Sequence, residues 1–111
     1  MADNNTRFAM EEMKEIAFDS IVAGYTGIGD STEYPATGFK VQNLTDETLI
    51  FSIDGITDNM ILPTMAFWVE DVASNRQNSK GTRVPAGTRF YVKRSGTPTS
   101  GSVYVSINYA K

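Results

Sequence analysis

Side chains that do chemistry near neutral pH must move a proton, attack an electrophile or hold a metal, and the two types best suited to this are missing. The 111-residue chain has no histidine and no cysteine. Their absence removes Ser-His-Asp and Cys-His catalysis, thiolate chemistry, most zinc sites and imidazole acid–base work. Carboxylates remain. Glu70 and Asp71 are adjacent on a predicted strand, so their side chains point to opposite faces of the sheet and cannot act as a glycosidase pair. Asp54, Asp58 and Asn59 offer oxygens to a hard cation, yet their spacing is not that of an EF-hand loop, and the same residue types close turns. Gly24 to Gly29 has neither the G-x-G-x-x-G spacing nor a Gly-Lys-Ser/Thr ending, and reads as a turn. No catalytic residue, cofactor-binding residue or metal ligand is assigned, and the chain reads as a non-enzyme without a cofactor.

Binding is the remaining class of function, and the charges speak to it. Residues 1–71 hold all 13 acidic residues and three basic ones, a net −10, whereas residues 72–111 hold seven basic residues and no acid. In a β-sandwich this split either neutralises itself across the fold or leaves a dipolar surface, with Arg76, Lys80, Arg83, Arg89, Lys93 and Arg94 as its basic side. Tyr91 and Tyr104 beside these cations raise a nucleic-acid platform, but the overall charge of −3 and the lack of an aromatic-rich RNA-binding motif argue against it. Trp68, Tyr91 and Tyr104 each alternate with the obvious apolar row of their strand. That marks a semi-buried rim or a protein interface, where large aromatics serve as anchors.

The elements that must position these residues are short strands. From Ile16 onward, apolar runs are separated by Gly, Pro, Asn and Asp clusters, the pattern of an all-β domain. The predicted runs are 15–25, bent near Asp19 or Ser20 and broken by Gly24, Gly27 and Gly29; 38–43; 48–54; 60–62; 65–72; 88–94; and 102–109. Phe39 and Val41 alternate with Lys40 and Gln42, and Leu49, Phe51 and Ile53 share one side, so 38–54 reads as a hairpin about the 43–46 turn. The longest predicted surface loop is 73–82. Residues 1–14 read as an N-terminal arm, with at most one helical turn and with Phe8, Met10 and Met13 awaiting a surface. Residues 15–111 form one sandwich domain. No apolar run approaches the roughly 20 residues of a membrane span, and Met1–Met10 has no secretory pattern.

Several of these segments resemble a known family. The run Glu15 to Gly29, Phe39 to Thr45, Phe51 to Gly55, Leu62-Pro63, Pro85 to Lys93 and Ser100 to Val105 look like small virion proteins of tailed double-stranded-DNA phages. The similarity is closest to the decoration proteins, called cement or staple proteins, of short-tailed phages, and it spans residues 15–110. It implies an all-β, jelly-roll-like sandwich of seven to eight antiparallel strands, forming a homodimer or other homo-oligomer. It further implies that the protein cross-bridges the major capsid protein on the outer surface of the phage head after synthesis in the bacterial cytoplasm.

On that reading the candidate interface residues are Arg7, Phe8, Met10, Trp68, Arg76, Lys80, Arg83, Tyr91 and Tyr104, with no nucleic acid and no membrane among the partners. Two alternatives stand beside it. One is a head-to-tail neck or collar component of the virion. The other is a carbohydrate-binding sandwich that uses Trp68 or Tyr91 as a stacking platform.

Overall fold

In the computed structural model residues 8–71 and 84–110 are described, without the side chains of Phe8 and Ala110. Nine strands follow one another: β1 (Phe8–Met10), β2 (Lys14–Ala17), β3 (Thr26–Ile28), β4 (Gly38–Asn43), β5 (Leu49–Ser52), β6 (Met60–Leu62), β7 (Phe67–Asp71), β8 (Phe90–Arg94) and β9 (Ser102–Ala110). A single 3-10 turn at Phe18–Ser20 is the one helical element among the described residues.

The pairing is nested and antiparallel throughout. β5 pairs with β6, β4 with β7, β3 with β8 and β2 with β9, each pair enclosing the one before it. β9 also pairs with β4, and β8 with β5. A long hairpin with its tip between β5 and β6 is thus rolled so that alternate pairs fall into two sheets. The first is ordered β1-β9-β4-β7, with β2 also on β9, and the second β3-β8-β5-β6. This is an all-β two-sheet sandwich with jelly-roll strand order.

Each strand contributes one face to the core between the sheets. Phe39, Val41, Val103, Val105 and Ile107 face inward from the first sheet, and Ile28, Leu49, Phe51, Leu62, Phe90 and Val92 from the second. Burying a side chain of this size is worth about 1.5–3 kcal/mol. The alternation that selects these residues also sends their neighbours outward.

One end of the sandwich is closed by a buried polar knot. Asn43, fully buried, donates from Nδ2 to the carbonyls of Glu47 and Leu62, each at 2.9 Å, while its Oδ1 accepts from the Thr45 N–H and hydroxyl. Every polar atom of that amide is therefore used, which is what makes its burial tolerable. Nearby, Gly101 takes φ +93°, and an added Cβ would lie 2.0 Å from the Leu44 carbonyl oxygen, so the β8–β9 loop requires glycine there.

Several expectations change. Phe8–Met10 is a strand and not a coil or helical turn: Phe8 stands opposite Ala110 and Met10 opposite Asn108, while Lys14 stands opposite Val105. Residues 11–13 thus face only 106 and 107, a one-residue bulge that joins β1 to β2 along the same edge. The strand in the run 15–25 ends at Ala17, where the 3-10 turn of Phe18–Ser20 begins, and Thr26-Gly27-Ile28, expected within a turn, forms β3 despite its glycine. β4 and β5 belong to different sheets and are not a hairpin. Ile53 leaves the buried row after Ser52 and is exposed.

Candidate interaction surfaces

Pairing register lays out the outer face of the first sheet as three rows. Phe67, Gln42, Tyr104 and Glu15 form one; Val69, Lys40 and Ser106 the next; and Asp71, Gly38, Asn108 and Met10 the third. Phe67 is 60% and Val69 53% exposed, on a strand at the edge of the described sheet; Met65 just before them is exposed too, as is Met10 on β1 at the opposite edge. The Lys40 ammonium reaches over the Phe67 ring, 5.2 Å from its centroid. Between the second and third rows lies a hollow of about 530 Å³, lined by Met10, Lys40, Val69 and Ser106 together with Glu70, Asp71 and Asn108. It is floored by Gly38, where a Cβ would come within 2.9 Å of the Glu70 carbonyl oxygen.

The outer face of the second sheet is different in kind. Arg89, Tyr91 and Lys93 alternate with the buried Phe90 and Val92 on β8. Lys93 lies 4.7 Å from the Tyr25 ring centroid and 3.1 Å from the Asp58 carboxylate, which also accepts the Tyr25 hydroxyl. Arg89 donates from Nε to the Gly29 carbonyl at 2.6 Å, its guanidinium 5.8 Å from the Tyr91 ring centroid. The Tyr25 hydroxyl and then Lys93 hold Asp58 below the usual carboxylate range. Removal from water, followed by the Asp58 carboxylate, pushes the Tyr25 phenol above its ordinary range. These groups satisfy one another and fasten the 53–59 loop across the sheet.

That loop is fixed from within as well. Asp54 Oδ1 accepts the Ser52 hydroxyl and the N–H groups of Ile56 and Thr57, at 2.7, 2.8 and 2.8 Å, and Asn59 Oδ1 accepts the Ile53 N–H at 2.9 Å. The Ser52 hydroxyl and then the Thr57 and Ile56 N–H groups keep the Asp54 carboxyl well below its ordinary range. The side chain this rigid loop presents is Ile56, 83% exposed. Asp54, Asp58 and Asn59 are therefore turn-closing groups. Among the described residues no cluster of three carboxylates is placed to hold a metal.

The sequence-predicted interface residues divide into three groups. Met10 and Tyr104 lie on the outer face of the first sheet and Tyr91 on that of the second, while Phe8 is placed only by its main chain in β1. Trp68 turns the other way. Its ring meets Phe39 edge-on, with centroids 5.1 Å apart, and it packs against the core while Nε1 donates to Glu70 at 3.1 Å. Arg7, Arg76, Lys80, Arg83 and the 73–82 loop lie outside the described residues. Across the split in sequence charge, Lys93–Asp58 is the ion pair formed among the described residues; Lys14–Glu11, at 3.7 Å, is local. Phe67, Val69 and Ile56 were not singled out by sequence. The first two mimic a buried row, and the third sits in a polar turn.

No family model and no curated protein matches this chain. A solved structure from work on Bacillus endospore appendages, described as a novel family of disulfide-linked pili, matches 98% of this chain and 93% of its own, at 11% identity and a TM-score of 0.48. At that level the match brings this chain no activity or partner. The present chain, having no cysteine, cannot form the link named for those pili.

The phage resemblance is corrected, because a pilus structure and no virion protein is what spans the chain. With it go the decoration and neck readings, the major capsid protein as partner, the capsid-bridging homodimer and the location on the phage head. The physical reason is plain in the fold. Phe39 to Thr45 is β4 with its turn, and Pro85 to Lys93 is a turn with β8, so the shared motifs are those any sandwich of this topology needs. The sugar-platform reading also fails for Trp68, whose ring is committed to the core, and Tyr91 already carries Arg89 against its ring.

Proposed function

We propose that this chain is a non-enzymatic structural protein that works through protein–protein contact, with the outer face of the first sheet as its contact surface and other copies of the chain as its partners. The observation that carries this reading is the pair Phe67 and Val69, both more than half exposed on an edge strand. Exposed edges are usually protected by charge, proline or a bulge, whereas β7 opens with three large apolar residues and places its acids only at positions 70 and 71. Met65, just before β7, is exposed as well, and large apolar residues exposed together in this way mark interaction sites. The absence of histidine and cysteine supports the non-enzymatic part.

Sedimentation of the purified chain over a concentration series tests the reading. Reversible association is expected, and Phe67→Ser with Val69→Thr should abolish it while leaving the thermal midpoint nearly unchanged. A wild-type chain that stays monomeric to millimolar concentration would overturn the proposal.

A further inference from the structure

We infer that Tyr34 and Tyr109 form a modification site, at which a one-electron oxidant, a peroxide acting through a haem peroxidase, joins the two phenol rings into dityrosine within one copy of the chain.

The rings lie stacked, with centroids 4.4 Å apart and planes 16° from parallel. Among the described residues they are the one pair of tyrosines in ring contact, since Tyr25 gives its hydroxyl to Asp58, Tyr91 lies against Arg89 and Tyr104 stands on the outer face of the first sheet. The backbone on both sides of Tyr34 is tied down. The N–H groups of Glu33 and Tyr34 donate to Glu11 Oε2 at 3.0 and 3.2 Å, Ala36 pairs with Val84, and the Thr37 N–H donates to the Asn108 carbonyl at 2.9 Å, one residue before Tyr109. Reacting groups held together by a folded chain meet far more often than groups on separate molecules, so coupling within a copy outruns coupling between copies. Access comes from one side. Tyr34 is 45% exposed and Tyr109 only 9%, so the oxidant reaches Tyr34, and Tyr109 gives up its electron through the stacked ring.

The chemistry closes with that one oxidant. Each tyrosine loses an electron and its phenolic proton, a Cε carbon of one ring bonds to a Cε carbon of the other, and the hydrogen on each of those carbons leaves as a proton while each oxygen regains one. The two electrons and two protons released break the O–O bond of one hydrogen peroxide and reduce it to two waters. The new bond closes a loop over most of the chain and fastens Tyr34 to the last strand, which a chain without cysteine cannot do through a disulfide.

The test treats the purified chain, at micromolar concentration, with a haem peroxidase and hydrogen peroxide, then separates monomer from covalent oligomer under denaturing conditions. The expected result is the blue fluorescence of dityrosine in the monomer, with the peptides that hold residues 34 and 109 joined at a mass two hydrogens below their sum. Tyr34→Phe keeps the stacked ring but has no phenol to oxidise, and should abolish the monomer fluorescence. Tyr104→Phe should leave it unchanged. Dityrosine confined to covalent oligomers would overturn the inference, as would monomer fluorescence that survives Tyr34→Phe. A monomer that stays dark under conditions that couple free tyrosine would overturn it equally. Each outcome is independent of whether copies associate through the first sheet.

Discussion

Met65 holds φ +66° at the third position of the Pro63–Ala66 turn, where the Ala66 N–H donates to the Pro63 carbonyl at 3.1 Å. An L-residue there is strained by roughly 1–2 kcal/mol, and glycine is the usual occupant. Methionine is kept although its side chain is 72% exposed and contributes nothing to the core. Met65→Gly should therefore raise the unfolding free energy by about 1 kcal/mol in urea titrations, and, if the face around Phe67 is the contact surface, weaken association at the same time. Two residues further on, Phe67 and Trp68 present the opposite problem. Adjacent aromatics satisfy a period of two in either phase, and the sequence Phe-Trp-Val favours counting Phe67 and Val69 as the buried set. The register Val41↔Trp68 fixes the other phase, since Val41 is fully buried. Trp68→Ala should cost about 3 kcal/mol, while Phe67→Ala should stay within about 0.5 kcal/mol of wild type. Equal losses at the two positions would refute this assignment of faces.

The loops at the element ends hold three carboxylates whose hydrogen bonds favour the ionised form. Asp46 accepts the Thr99 hydroxyl and N–H, tying the β4–β5 turn to the β8–β9 loop, and those two bonds hold its carboxyl below the ordinary range. Asp54 and Asp58 are lowered in their own loop. A carboxyl with a depressed folded-state pKa stabilises fully above its unfolded value, near 3.9, and ceases to do so as pH falls through the folded value. Tyr25, raised above its unfolded value near 10, stabilises below that pH and loses its effect as pH rises further. The urea midpoint should thus be flat from about pH 5 to 9, fall progressively below about pH 4, and lose its acid dependence in part in Asp54→Asn with Asp58→Asn. Strands with strict alternation were legible from sequence: β4 matches 38–43, and β6 and β9 lie nearly where expected. Elements whose identity depends on a distant partner were not. β3 has only three residues around a glycine and exists because β8 pairs with it; β1 exists because β9 is nine residues long and extends past β2. For the same reason the proposed contact face was hidden, since exposure at Phe67 is a property of the sheet and not of the run.

At the scale of the whole molecule, the register of the first and last strands decides how the sandwich responds when pulled. Phe8 stands opposite Ala110, so both ends of the described chain leave from one corner of the first sheet. Tension applied between them opens the β1–β9 ladder one hydrogen bond at a time, like a zipper, with no bond sharing the load of the next. The β4–β9 ladder, six residue pairs long in the middle of the same sheet, would by contrast be stretched along its length, with its bonds strained together, if force entered near Leu44 and left near Ala110. Single-molecule extension should therefore give a clearly lower first rupture force with handles at residues 8 and 110 than at 44 and 110, both attachable through cysteines introduced into a chain that has none. Equal forces would mean that β1 is held by more than its ladder. A sandwich built this way resists tension best when it is gripped by its faces and spared at its ends.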